Sequence, residues 1–175
     1  METNSELLLE GGCACRHIRY QATGVPLIVH CCHCKWCQRE SGSAFIINAL
    51  YSAEHVTHLG AGPDTIVTPS QSGKGQVIAR CPKCHVAVWS NYGGGGPLVR
   101  FIRVGTLDDP HRLVPDVHIY TGSKVPWVEL PAGVSSFTEF YDSRKVWAKE
   151  VDERRYAVWL QIQAARAARE AASNT

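Results

Sequence analysis

At about 150 residues per domain, a chain of 175 residues makes one domain with an appended element and excludes two full ones. Eighteen Lys and Arg against sixteen Asp and Glu leave a formal charge of +2. That lacks the basic excess that grips a phosphate backbone, so nucleic acid is not an expected partner. With 45% apolar and 19% charged residues, the chain can bury a core, which excludes a disordered scaffold.

In chain order, residues 1–10 carry Glu2, Glu6 and Glu10 around three leucines. This is neither the basic lead nor the apolar run of a secretion signal, and the expected location is the cytoplasm. No stretch approaches the roughly 20 apolar residues that cross a bilayer, so no membrane partner is expected. Cys13-Ala14-Cys15 precedes a strand over 18–22, and the run Cys31-Cys32-His33-Cys34-Lys35-Trp36-Cys37 leads into a short helix over 35–41. Segments rich in Val, Ile and aromatics predict further strands over 44–50, 64–68, 76–80, 86–90, 98–104 and 116–120. Cys81-Pro82-Lys83-Cys84 forms a turn between two of them. Ser72-Gly73-Lys74-Gly75 and the run Gly93 to Gly96 read as hairpin tips, the second also as a candidate gate for a ligand. Neither has the strand-loop-helix context of a phosphate loop.

Closely spaced short strands predict an all-β sandwich rather than alternating βαβ units. From Asp142 glycine disappears and Ala, Arg, Glu and Gln dominate. A helix from Val151 or Asp152 to Ala172 follows, with Val151, Val158, Ile162 and Ala165 at helical intervals. The chain thus divides into a β domain over 1–141 and a C-terminal helical extension over 142–175. Trp147 and Trp159 are expected to pack on the β core or on a second subunit, which makes a homodimer a further expectation.

Eight cysteines in a chain read as cytoplasmic point to metal rather than disulfides, because thiols there stay reduced. In Cys13-Ala14-Cys15 the side chains share one face of an extended segment, and in Cys81-Pro82-Lys83-Cys84 a tight turn points two thiolates inward. Each pair supplies two ligands, so the economical arrangement is one four-thiolate zinc site, closed and therefore structural. Cys32, Cys34 and Cys37 offer three thiolates and a vacancy, the arrangement of a catalytic zinc. Alternation turns Cys31 and His33 to the opposite face. Cys31 reads as a packed core thiol, with closure of the site as a fourth ligand the alternative. Three thiolates leave the zinc a net local charge of −1, which suits a substrate thiolate better than water activation.

Gly11-Gly12-Cys13-Ala14-Cys15 with Arg19-Tyr20, the run Cys32 to Ser43, Cys81-Pro82-Lys83-Cys84, and His118-Ile119-Tyr120 with Ser123-Lys124 and Pro126-Trp127 together resemble the glutathione-dependent formaldehyde-activating enzyme family, also called the centromere protein V family. The resemblance spans roughly residues 7 to 130. It implies an Mss4-like zinc-binding β-sandwich, with a structural zinc on Cys13, Cys15, Cys81 and Cys84 and a second zinc on Cys32, Cys34 and Cys37. It also implies a carbon-sulfur lyase that joins formaldehyde and glutathione to give S-hydroxymethylglutathione. Where the family often has glycine after the second cysteine of each structural pair, this chain has Arg16 and His85. If those turns need positive φ, each substitution costs about 1 kcal/mol.

Thiol-aldehyde chemistry needs a proton shuttle and groups for the carboxylates of a glutathione-like molecule. Within the family-like segments, His118 is the first candidate for the shuttle, joined to the catalytic set Cys32, Cys34 and Cys37. Arg39 and Lys124 are candidates for the carboxylates. Ser41 is a candidate to brace the knuckle, and Trp127 and Trp36 to form an apolar wall. The leading expectation is a zinc enzyme taking a small thiol such as glutathione and an aldehyde-type electrophile. The rival is a non-catalytic zinc-ribbon module that binds a protein partner.

Overall fold

A computed structural model describes residues 7–173 of the chain; residues 1–6, on which most of the location reading rests, lie outside them. β1 (Leu8–Gly12), β2 (Arg19–Thr23) and β5 (Val56–His58) form a three-stranded antiparallel sheet in the order β1-β2-β5. The second sheet is built from β3 (Ile28–Cys32), β4 (Ile46–Ser52), β6 (Asp64–Thr68), β7 (Gln76–Arg80), β8 (Ala87–Tyr92), β9 (Val99–Arg103), β10 (Val117–Ile119) and β11 (Ser135–Ser136). Its order is β11-β10-β3-β4-β9-β8-β7-β6. α1 (Lys35–Ser41) follows β3, and α2 (Ser143–Val146) and α3 (Glu153–Ser173) end the chain. The fold is mainly β, with two sheets and a C-terminal helix, as the strand pattern predicts. Among the described residues no helix is long and apolar enough to cross a membrane.

The large sheet is covered on both faces. Leu9, Tyr20, Val29, Trp89 and Ile102 fill one apolar cluster, which joins residues of both sheets. Ile28, Leu50, Val99 and Ile119 form a second cluster with Tyr141, Trp147, Val158 and Ile162 from the C-terminal segment. All five residues of β3 are buried, so its hydrophobicity does not alternate, as expected of a strand with both faces covered. This is why β3 has no strand signature in sequence. β1 is masked differently, by Gly11 and Gly12. A Cβ on Gly12 would lie 2.2 Å from the Ile18 carbonyl oxygen, so close chain approach selects glycine where β propensity alone argues against a strand.

Trp147 is buried and Trp159 packs against the same cluster, so both lie on the β core. Asp152 caps α3, its Oδ1 accepting from the Arg154 and Arg155 amides at 2.9 and 3.2 Å. Further along, Arg166 Nε and Nη2 donate to the Gly94 carbonyl at 3.1 and 2.7 Å. A Cβ on Gly95 would stand 3.7 Å from Ile162 Cδ1. The glycine run is therefore the seat of α3.

A buried polar chain fastens the C-terminal segment to β3. Trp147 Nε1 donates to the Tyr141 hydroxyl at 3.0 Å, and that hydroxyl lies 2.8 Å from His30 Nε2. Burial pushes His30 down to about 3 from its ordinary 6.5, so it is neutral in this chain of hydrogen bonds. An unfolded chain protonates this histidine below about 6.5. The contribution is therefore complete above that pH and is lost as pH falls towards 3, at up to ~1.4 kcal/mol per pH unit. Urea unfolding at pH 6.5, 5.5 and 4.5 is expected to show a shallower loss of stability in His30→Gln than in the wild type; parallel curves would refute the assignment.

Candidate metal centre

Two knuckles of matching design bring together cysteines distant in sequence. In the first, the Cys13 amide donates to the Ile18 carbonyl at 3.1 Å; in the second, the Cys81 amide donates to the Val86 carbonyl at 3.0 Å. Both turns close through a left-handed residue, Arg16 at φ 61° and His85 at φ 60°. The turns thus need positive φ, and two non-glycine residues bear its cost of about 1 kcal/mol each. The Sγ atoms of Cys13, Cys15, Cys81 and Cys84 all lie within 4.8 Å of one another. Cys13 to Cys15 is 3.5 Å and Cys15 to Cys81 is 3.6 Å, near the ~3.8 Å edge that follows from zinc-sulfur bonds of ~2.3 Å in a tetrahedron. Backbone amides of Ile18 and Lys83 point at Cys13 and Cys81 sulfur at 3.2 and 3.4 Å, as anionic sulfur requires. This donor set fits a closed tetrahedral metal site.

The second cluster sits where β3 passes into α1. Cys34 caps the helix, its Sγ accepting from the Cys37 amide at 3.4 Å, and Gly42 closes the other end at φ 65°. One helical turn thereby returns Cys37 to the side of Cys34, while Cys32 reaches it from the end of the strand. These three sulfurs lie within 4.8 Å of one another, all buried. Gln38 Nε2 donates to the carbonyls of His33 and Ser123 at 2.7 and 2.9 Å, and Ser123 Oγ donates to the His33 carbonyl at 3.0 Å. An Arg80–Glu40 ion pair ties α1 to β7. The knuckle is thus held from both flanks.

Three thiols so close together cannot all ionise without a cation. Hydrogen bonds from Cys32, and then Cys37, pull Cys34 down to about 3. Cys32 is driven far up, first by its bond to Cys34. Cys37 rises to about 12, its bond to Cys32 opposing and Cys34 and burial prevailing. Of the three, Cys34 is the sulfur that ionises most readily. A divalent cation would draw off the remaining protons, which is the behaviour of a thiolate metal site.

Cys31 does not join this trio. It belongs to a third cluster with His33 and His118, whose ligand atoms also lie within 4.8 Å. His33 Nε2 is 3.5 Å from Cys31 Sγ and 2.9 Å from His118 Nδ1, with the two rings stacked. The parallel register of β10 on β3 pairs His118 with Cys31 and Ile119 with Cys32, so His118 shares the opposite face. His33 Nδ1 is buried with no hydrogen-bond partner.

Cys32, Cys34 and Cys37 open instead on a cavity of about 450 Å³, lined also by Trp36, His30, Ile119 and Tyr120. His118, Arg39, Ser41, Lys124 and Trp127 are not among its lining residues. Ser41 Oγ donates to the Cys37 carbonyl at 2.9 Å, bracing the knuckle. Lys124 Nζ donates to the Val125 and Val128 carbonyls at 3.2 and 2.6 Å, and Arg39, near the end of α1, and Trp127 are exposed. Tyr120 is the residue the sequence reading passed over. Its φ of 57° breaks the strand alternation, so both Ile119 and Tyr120 line the cavity. Strain of this kind in a non-glycine residue collects at functional sites, and burial pushes the Tyr120 hydroxyl up to about 12, keeping it protonated.

Among solved structures, one of a Rhodobacter sphaeroides protein is 16% identical with a TM-score of 0.45, the alignment covering 61% of this chain and 97% of that one. No curated protein gives a significant match. The family model described as glutathione-dependent formaldehyde-activating enzyme matches residues 8–123, a span that holds both knuckles, the three-cysteine turn and Tyr120. The chain belongs to that family.

Proposed function

We propose that the protein is a zinc-dependent carbon-sulfur lyase acting on thiol adducts of small electrophiles, in the manner of glutathione-dependent formaldehyde activation. The observation that carries this reading is the trio Cys32, Cys34 and Cys37, three buried sulfurs with no fourth protein ligand among the described residues, facing a cavity. A second zinc on Cys13, Cys15, Cys81 and Cys84 holds the fold. The non-catalytic reading required closure of the trio, for which Cys31 was the candidate; its grouping with His33 and His118 favours the enzyme.

Zinc on the trio supplies a place where a substrate sulfur stays ionised at neutral pH. The chain's own groups do the rest. Cys34, hydrogen-bonded by the Cys37 amide, keeps the knuckle in register, and apolar walls exclude water from the sulfur. The Tyr120 hydroxyl holds a proton for the carbonyl oxygen. In the synthetic direction the sulfur lone pair forms the C–S bond, the carbonyl π pair moves to oxygen, and that oxygen takes the Tyr120 proton, which the incoming thiol's proton replaces. Cleavage runs the same steps backwards, so atoms and charge balance.

The test is metal content with turnover: two zinc ions per chain and thiol-dependent consumption of an aldehyde are expected. Two zincs with no thiol binding and no turnover of any aldehyde would sink the reading. Tyr120→Phe is expected to keep both zincs and to lower kcat by ~10²-fold, the low end for loss of a general acid, with a flattened pH profile. An unchanged kcat would remove Tyr120 from the mechanism.

A further inference from the structure

The cavity in front of the trio has a chemistry of its own. From the sheet side come Leu50, Phe101 and Ile119; from the C-terminal segment come Phe140, Trp159 and Ile162. Most charged groups on its walls are already engaged, while Gln76 Oε1 is buried without a partner and the Tyr120 hydroxyl faces the substrate. His30 is bonded to Tyr141, and Glu40 is paired with Arg80. Arg103 donates to Asn48 Oδ1 at 2.7 Å and Ser90 Oγ at 3.0 Å, and Arg166 donates to the Gly94 carbonyl. Lys74 stands at the exposed rim. A tripeptide thiol with two carboxylates and an ammonium finds few unengaged charged partners on such walls, and burying a carboxylate without one is heavily penalised. A one-carbon aldehyde, conversely, leaves nearly all of about 450 Å³ unfilled, although that volume is of the size that takes an organic ligand with rings.

Part of this wall lies outside the matched span. The family match ends at residue 123, whereas Phe140, Trp159 and Ile162 lie beyond it. α3 reaches the trio's cavity across the Gly93 to Gly96 run: Gly94 accepts from Arg166, and a Cβ on Gly96 would stand 2.9 Å from Arg169 Nη2. The cavity is therefore completed by a segment that the matched region does not contain. Trp159 stacks on Tyr156 with ring centroids 5.8 Å apart, so its ring is oriented before any guest arrives.

We infer that the substrate carries an apolar, ring-sized substituent next to the reacting C–S bond, held between the sheet face and α3; this rests on the reading of the trio as an open zinc site. The substituent can enter on the carbon, from an aromatic aldehyde, or on the sulfur, from an apolar thiol. Polar arms of a glutathione portion, where present, then extend past Lys74 into solvent.

The experiment uses the zinc-loaded full chain and three pairings: glutathione with formaldehyde, glutathione with phenylacetaldehyde, and benzyl mercaptan with formaldehyde. One of the last two is expected to exceed the first at least ~10-fold in kcat/KM, a preference one well-filled apolar subsite can give; which one says whether the ring belongs to carbon or sulfur. Calorimetry adds a readout independent of turnover: where the ring enters on sulfur, benzyl mercaptan is expected to bind at least ~10-fold tighter than glutathione, and where it enters on carbon, phenylacetaldehyde at least ~10-fold tighter than formaldehyde. Trp159→Ala is expected to reduce both ratios several-fold with zinc content and circular dichroism unchanged. Phe140→Ala, at a half-exposed position, is a second variant expected to act the same way should the first misfold. Two zincs per chain with glutathione and formaldehyde preferred, or ratios indifferent to both variants, would overturn this inference alone. Fewer than two zincs, or no turnover with any pairing, would overturn the lyase reading and this inference with it.

Discussion

Cys81→Ser is expected to abolish the fold. Cys81 is fully buried in the cluster that joins the two sheets, and its sulfur lies 3.6 Å from that of Cys15, 66 residues earlier. The four-cysteine site therefore clamps the end of β1 to the β7–β8 turn. Binding of a structural zinc is worth ~10 kcal/mol or more, comparable with the whole ~5–15 kcal/mol stability of a domain. Serine is a far poorer zinc ligand and places a hydroxyl in an apolar interior. Elemental analysis should find at least one zinc lost, and near-ultraviolet circular dichroism should show no fixed aromatic environment. A cooperative urea transition near the wild-type midpoint would mean that the site is not structural.

Cys34→Ala is expected to do the reverse: the fold stays and the chemistry goes. Cys34 lies in the turn from β3 to α1, and its structural contribution is one capping bond to the Cys37 amide at 3.4 Å. Loss of a cap costs ~1 kcal/mol, which a domain with an intact four-cysteine clamp tolerates. With two ligands left, the trio no longer retains its metal, and turnover is expected to drop by ~10⁴-fold or more, the scale seen when a group at the centre of a reaction is removed. Zinc should fall from two to one per chain with the urea midpoint nearly unchanged. Full turnover at one zinc per chain would show that the chemistry does not run through the trio. On the proposed roles, the contrast between Cys81 and Cys34 would separate a sulfur that holds the chain together from one that serves a guest.

Much of this was legible because cysteine spacing encodes local geometry. The i, i+2 pair on an extended segment and the i, i+3 pair in a turn each converge their sulfurs without help from the rest of the chain. Arg16 and His85 likewise mark the two left-handed turn positions, since the knuckle itself demands positive φ there. β3 and β1 were hidden for opposite reasons. β3 is buried on both faces and so shows no period, and β1 carries glycines required by the close approach of Ile18 and Tyr20. His118 illustrates a limit of motif reading: its segment was found, but its face was not. Strand alternation sends it to Cys31 and His33, and one left-handed residue after it brings Tyr120 to the cavity in its place.

The residues alone therefore determined the class of fold, the division of seven cysteines into a set of four and a set of three, and a C-terminal helix, because all of these follow from contacts within a few positions along the chain. Only the tertiary structure decided which groups face the three-cysteine site. That depends on β10 pairing in parallel with β3, 87 residues upstream in the chain, and on α3 folding back over the glycine run. Both are long-range packings whose free energy comes from surfaces buried between elements, and no local pattern records which surface meets which.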